Sequence, residues 1–283
     1  MKKLIWLCLL VFLAACGQSH PDTSQERNPN TTSSHHTKPT VIATTTPTLF
    51  IHGFAGGPSS FGPLMQRMED HGIAKKESTI TVSSDGQLQV EGHLSSKADN
   101  PMIQVLFADN QSHEWNQAQW LQNVMIYLKQ QGINQVNLVG HSMGGVDIFR
   151  YLGTYSQANN VPIVKKFSAI GAPFNDFVDT QGTQSINEVL NEGPNQFSDR
   201  LNDFYSFIGT FSFPDMQMIA GQVAPDDLSD GTVPLTSALA LVHILKANGA
   251  NLSYNIVTED ATHSHLHENE TVDQLLRDFL WPQ

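Results

Sequence analysis

Ser142 stands between Gly140 and Gly144 in the run Val139-Gly140-His141-Ser142-Met143-Gly144-Gly145, a G-x-S-x-G pattern. The apolar run Val136–Val139 before it is strand-like, and Val146–Leu152 after it is helix-like. A strand that turns abruptly into a helix holds the intervening serine in a strained conformation, and side chains two positions to either side would collide there. The pattern therefore points to a hydroxyl exposed at a tight turn as a candidate nucleophile.

A serine hydroxyl is a weak nucleophile near neutral pH, so it needs a base within hydrogen-bonding reach and an acid to orient that base. Sites built on this turn place Ser, then Asp or Glu, then His along the chain. Asp230 follows the apolar run Gln217–Gly221, inside a turn shaped by Gly231 and Pro234, and is the preferred acid; Asp226 and Asp227 compete and read as solvated loop charges. His263, His265 and His267 all follow the last strand-like run, and His263, nearest its end, is the preferred base. The alternating triplet could instead share one face and bind a metal, but no acidic or cysteine partner has suitable spacing, so no metal site is expected. Acyl transfer also requires donors for the oxyanion. The backbone N–H groups of Met143 and of Phe54, in the glycine-rich run His52–Gly57, are the candidates; no Gly-Lys-Ser/Thr follows those glycines to suggest a phosphate loop.

The elements that must position these groups alternate between strand and helix. Strands are expected at 48–51, 102–107, 136–139, 166–170, 217–221 and 252–257, with a hairpin over 79–94 around Ser84-Asp85-Gly86. Helices are expected at 59–70, 116–131, 146–152, 237–248 and 271–281, while 171–216 is largely unpatterned. Such alternation implies an α/β fold, a mainly parallel sheet with helices on both faces. Length favours one large domain.

The N-terminus reads differently. Met1-Lys2-Lys3 and the apolar stretch Leu4–Ala15 form a signal peptide too short to span a bilayer. The boundary Leu13-Ala14-Ala15-Cys16-Gly17 resembles a bacterial lipoprotein lipobox, which implies removal of 1–15 and acylation of Cys16 (palmitate or a similar chain). Lipid anchoring to the outer face of the membrane is the expected location. Residues 16–47, rich in Ser, Thr, Asn and Pro, cannot bury a core and read as a disordered polar tether. His35 and His36 belong to it. Cys8 leaves with the leader, so no disulfide is expected. The formal charge of −12 becomes −14 without Lys2 and Lys3, and no basic stripe is present, which argues against nucleic-acid binding. A monomer is expected.

Four motifs in order, LFIHGFAGG (49–57), NLVGHSMGG (137–145), SDGTVP (229–234) and HSHLHEN (263–269), resemble those of a largely uncharacterised family of Gram-positive cell-surface alpha/beta hydrolases. The resemblance covers nearly everything from Thr48 to Trp281 and implies an alpha/beta-hydrolase catalytic domain over 48–283, a Ser142–Asp230–His263 triad, no cofactor and a cap insertion near 174–214. Eight of the 24 aromatic residues fall in those 41 positions, which reads equally as an apolar acyl pocket or as internal packing of the cap.

The expected function is a cell-surface serine hydrolase of carboxylic esters, lipid or acyl esters included, working through an acyl-enzyme on a small-molecule or lipid substrate. Acyl transfer to a cell-envelope acceptor, amide cleavage by the same triad, and a non-catalytic binding protein on a hydrolase scaffold are the alternatives.

Overall fold

The structure is a computed structural model that describes residues 41–95, 97, 99–178 and 183–282. Its elements in order are β1 (Thr48–Ile51), α1 (Pro58–Asp70), β2 (Lys75–Val82), β3 (Leu88–Gly92), β4 (Pro101–Phe107), α2 (Glu114–Gln130), β5 (Gln135–His141) and α3 (Met143–Thr154). There follow β6 (Ile163–Ile170), α4 (Ile186–Glu192), α5 (Asp199–Ser206), β7 (Asp215–Gly221), α6 (Leu235–Ala238), α7 (Val242–Ala247), β8 (Leu252–Val257) and α8 (Glu270–Leu280). One eight-stranded sheet runs in the order β3-β2-β4-β1-β5-β6-β7-β8. All neighbours are parallel except the edge pair β2–β3, which forms the expected hairpin.

The central strands are apolar on both sides because both sides are covered. Alternation along β1 shows the division: Leu49 and Ile51 point into the cluster formed with α2 and α3, whereas Phe50 points into the one formed with α1 and α8. On the second face, Arg67 of α1 bonds Asp273 of α8 at 2.5 and 3.0 Å. Asn269 caps α8 by accepting from the N–H groups of Thr271 and Val272.

Three differences from the sequence reading have simple causes. The unpatterned stretch before β7 contains α4 and α5, each started by a serine cap, Ser185 and Ser198. The single helix expected over 237–248 is broken at Leu239-Ala240-Leu241, all fully buried; a segment apolar all round carries no periodicity to mark the break. The tether boundary at 47 also lies too late. Thr44 bonds Asn100 in both directions, Ile42 donates to the Pro282 carbonyl at 3.1 Å, and Pro47 accepts from Asn137, so 42–47 run along the domain. Signal peptide, Cys16 and the tether up to residue 40 lie outside the described residues.

The cap over α3 is held by aromatic and ionic contacts. Phe149 of α3 packs against Phe204, Phe174 and Phe211 at centroid distances of 4.9, 5.9 and 5.9 Å. Arg150, fully buried, bonds Glu114 of α2 and stacks on Trp115, while Arg200 of α5 bonds Glu114 and Asp176. Removing either partner of the buried Arg150–Glu114 pair would strand the other charge, which costs about 3–5 kcal/mol. Among the described residues no helix is long and apolar enough to cross a membrane.

Candidate active site

Ser142 sits between β5 and α3 at φ 54°, ψ −125°, outside the regions a non-glycine residue ordinarily occupies. The geometry requires its glycines. A Cβ on Gly140 would lie 2.5 Å from the backbone of Gly144 and Gly145, and one on Gly144 would lie 2.3 Å from the Ile51 carbonyl oxygen. The Ser142 N–H is anchored to the Ile170 carbonyl of β6 at 2.8 Å. The strained turn is thus clamped between β1 and β6, and the hydroxyl stands at the C-terminal edge of the parallel strands.

The loops after β7 and β8 meet it there. Ser142 Oγ lies 2.9 Å from His263 Nε2, and His263 Nδ1 lies 2.7 Å from Asp230 Oδ2. Asp230 is 1 % exposed, and its Oδ1 accepts the N–H groups of Thr232 and Val233 at 2.9 and 2.6 Å. With Oδ1 taken by two backbone donors, Oδ2 is left to accept the His263 Nδ1–H. Nε2 then presents its lone pair to the Ser142 hydroxyl, the arrangement that lets an imidazole accept a proton from it.

The competitors lie elsewhere. Asp226 and Asp227 are exposed, Asp227 accepting from Ser229. His265 is exposed and bonds Asp260 at 2.8 Å, which raises its pKa above the ordinary histidine value. His267 is buried edge-on against His141, and burial lowers its pKa.

Two histidines outside the expected set position the site. His141, the residue before the serine, donates Nε2–H to the His263 carbonyl at 2.8 Å, while the His263 N–H donates to the Asp230 carbonyl at 2.8 Å. The base is therefore held at both its backbone groups. Burial, with His263 and His267 alongside, pushes the His141 pKa well down and keeps it a neutral donor. His52 accepts the Phe107 N–H on Nε2 at 3.0 Å and donates Nδ1–H to the Gly53 carbonyl at 2.8 Å, fixing the loop after β1. Burial lowers its pKa too. Position beside Ser142 is the only sequence signal for His141, whereas His52 already reads from the sequence as a structural residue of the loop after β1 rather than a second base.

That loop packs directly on the serine: a Cβ on Gly53 would lie 2.8 Å from Ser142 Cβ. The Ala55 N–H donates to the Asn110 carbonyl, and Asn110 Nδ2–H donates to the Gly56 carbonyl. Among the described residues, nothing accepts a hydrogen bond from the N–H of Phe54 or of Met143, the first residue of α3. A cleft of about 280 Å³ opens from Ser142 and His263 between residues 53–60 and 263–268. Of the cap aromatics, Phe174, Phe204 and Phe211 are packing residues at most 6 % exposed, whereas Phe177 and Phe197 are 51 % and 39 % exposed.

An eight-stranded, mostly parallel sheet with the Ser–His–Asp chain of hydrogen bonds at its C-terminal edge defines an alpha/beta hydrolase. The family described as alpha/beta hydrolase of unknown function (DUF915) matches residues 35–283, and the chain belongs to it. Among solved structures, a Listeria innocua gene product is 30 % identical, with a TM-score of 0.72 over 83 % of this chain and 93 % of that one. A protein provisionally named a cell surface hydrolase, from Lactobacillus plantarum, is 22 % identical at TM-score 0.66 over 83 % and 91 %. Esterase B from Lactobacillus rhamnosis is 13 % identical at TM-score 0.53 over 84 % and 76 %, a likeness of fold. No curated protein matches the chain.

Proposed function

We propose that this hydrolase cleaves carboxylic esters through an acyl-enzyme on Ser142. The observation that carries the reading is the hydrogen-bonded sequence Asp230–His263–Ser142, at 2.7 and 2.9 Å, ending on a serine at positive φ. His263 takes the Ser142 proton as Oγ attacks the carbonyl carbon. The resulting oxyanion is received by the N–H groups of Phe54 and Met143. His263 then protonates the leaving alcohol, the acyl-enzyme remains, and water attacks it with the same imidazole as base. Asp230 keeps the imidazole in the productive tautomer and stabilises its cation.

The cell-surface location is part of the same proposal: the lipobox around Cys16 would anchor the chain by lipid, and the name of the Lactobacillus plantarum relative agrees with a surface role. The test of the activity is turnover of aryl acetate and butyrate esters by the wild type and by Ser142→Ala. The wild type is expected to hydrolyse them and the variant to lose turnover while its circular dichroism is retained. A folded wild type inactive on every ester would overturn the reading.

A further inference from the structure

The cleft beside Ser142 bears on which ester. The leaving oxygen must receive its proton from His263 Nε2, so the alcohol portion departs on the His263 side of the serine. Ser264, His267 and Glu268, which follow the base, line the cleft on that side, and its walls are polar. Ser59 and Ser264 present exposed hydroxyls, and Glu268 presents an exposed carboxylate; among the described residues no side-chain hydrogen bond engages any of the three. Gly56 and Gly57 also line the cleft, and a Cβ on Gly57 would meet nothing within 4 Å. Among the described residues lining it, the large apolar surface is Phe54, 56 % exposed.

An alkyl alcohol in this cleft would strip water from Glu268 and the two hydroxyls without replacing their hydrogen bonds, which is unfavourable. A ring with hydroxyls at its rim and C–H groups on its faces fits both features: it returns hydrogen bonds to Glu268, Ser59 and Ser264, and lays its C–H face on the Phe54 ring. We propose that the substrate is an acylated sugar or similar cyclic polyol, with the polyol as leaving alcohol. This rests on the ester-hydrolase reading above. In the reaction the Ser142 Oγ–acyl bond forms, the acyl–O(sugar) bond breaks, the proton held by His263 passes to the sugar oxygen, and water releases the acid.

The test holds the acyl group constant and varies the alcohol: methyl 6-O-acetyl-glucopyranoside against hexyl acetate, with acetate release measured on the full-length protein. The wild type is expected to favour the sugar ester in kcat/KM by at least about tenfold, the scale of one hydrogen bond to a charged group. Glu268→Ala, a surface change, is expected to lower that ratio by about tenfold. Phe54→Ala, which keeps the backbone N–H, is expected to lower it too. Equal rates on the two esters, a preference for hexyl acetate, or a ratio untouched by Glu268→Ala overturns the inference while a wild type labelled at Ser142 by a fluorophosphonate leaves the hydrolase reading standing. A wild type neither labelled nor active on either ester overturns both.

Discussion

Replacing Gly144 by alanine isolates the claim that the nucleophile turn is clamped against β1. The added Cβ would lie 2.3 Å from the Ile51 carbonyl oxygen, 2.6 Å from that of His52 and 2.9 Å from the Ile51 carbonyl carbon. All three are backbone atoms of a strand end fixed by pairing with β4 and β5, so no side chain can swing away. Relief requires a backbone shift on the order of 1 Å, and overpacking of this kind costs about 1–3 kcal/mol. That outweighs the gain of up to about 1 kcal/mol from replacing a helical glycine, which is smaller still in a first turn. Each kcal/mol moves Tm by roughly 2–4 °C at this size. Gly144→Ala is expected to lower Tm by a few degrees. It should also reduce ester turnover by about a hundredfold, because Met143 N–H and the Phe54 loop move relative to each other. Calorimetry and an aryl acetate assay read both quantities. A Gly144→Ala protein as stable and as active as wild type would refute the packing argument.

Other outcomes follow from the same geometry. Asp230→Asn keeps an oxygen for the Thr232 and Val233 N–H groups but turns an amide toward His263 Nδ1, forcing the tautomer that cannot accept the serine proton; turnover should fall by about 10³–10⁴ with unfolding little changed, and full activity would reassign the acid. Asp147 is fully buried in α3, and neither carboxyl oxygen has a hydrogen-bond partner. Burial first, then the Glu114 charge, pushes its pKa well above 3.8, so the folded state holds a proton that the unfolded state releases. Stability from this group is complete below the ordinary carboxylate value and is lost as pH rises toward the folded pKa. Asp147→Asn removes that loss, so its stability relative to wild type should grow with pH above 3.8, with a limiting slope of about 1.4 kcal/mol per pH unit; a pH-independent difference in denaturant titrations would contradict it. Cys16→Ser is expected to move the protein from the membrane fraction to the medium, and continued membrane association would defeat the anchor.

Much of the fold was legible because parallel strands buried on both faces must be mostly apolar, as β1, β4 and β5 are. The glycines around Ser142 were legible for a steric reason, since only their absence of Cβ admits the backbone of β1 and α3 so closely. Asp230 and His263 could be ranked by order and turn chemistry, yet their mutual distance depends on β7 and β8 being neighbours, which no local pattern encodes. The helices α4 and α5 were missed because seven and eight residues span too few turns to show a period. The ionic cluster of Glu114, Arg150 and Arg200 joins three elements far apart in sequence. The cap aromatics could not be divided between pocket and packing by counting them; burial around Phe149 assigns Phe174, Phe204 and Phe211 to packing.

The central claim is that Ser142 is the activated nucleophile, and covalent capture tests it most directly. Incubation with a fluorophosphonate followed by peptide mass mapping should find one adduct per chain, on Ser142, formed in step with loss of ester turnover and absent from Ser142→Ala. Turnover that persists with Ser142 unmodified, or an adduct that maps to another residue as activity disappears, would contradict the account.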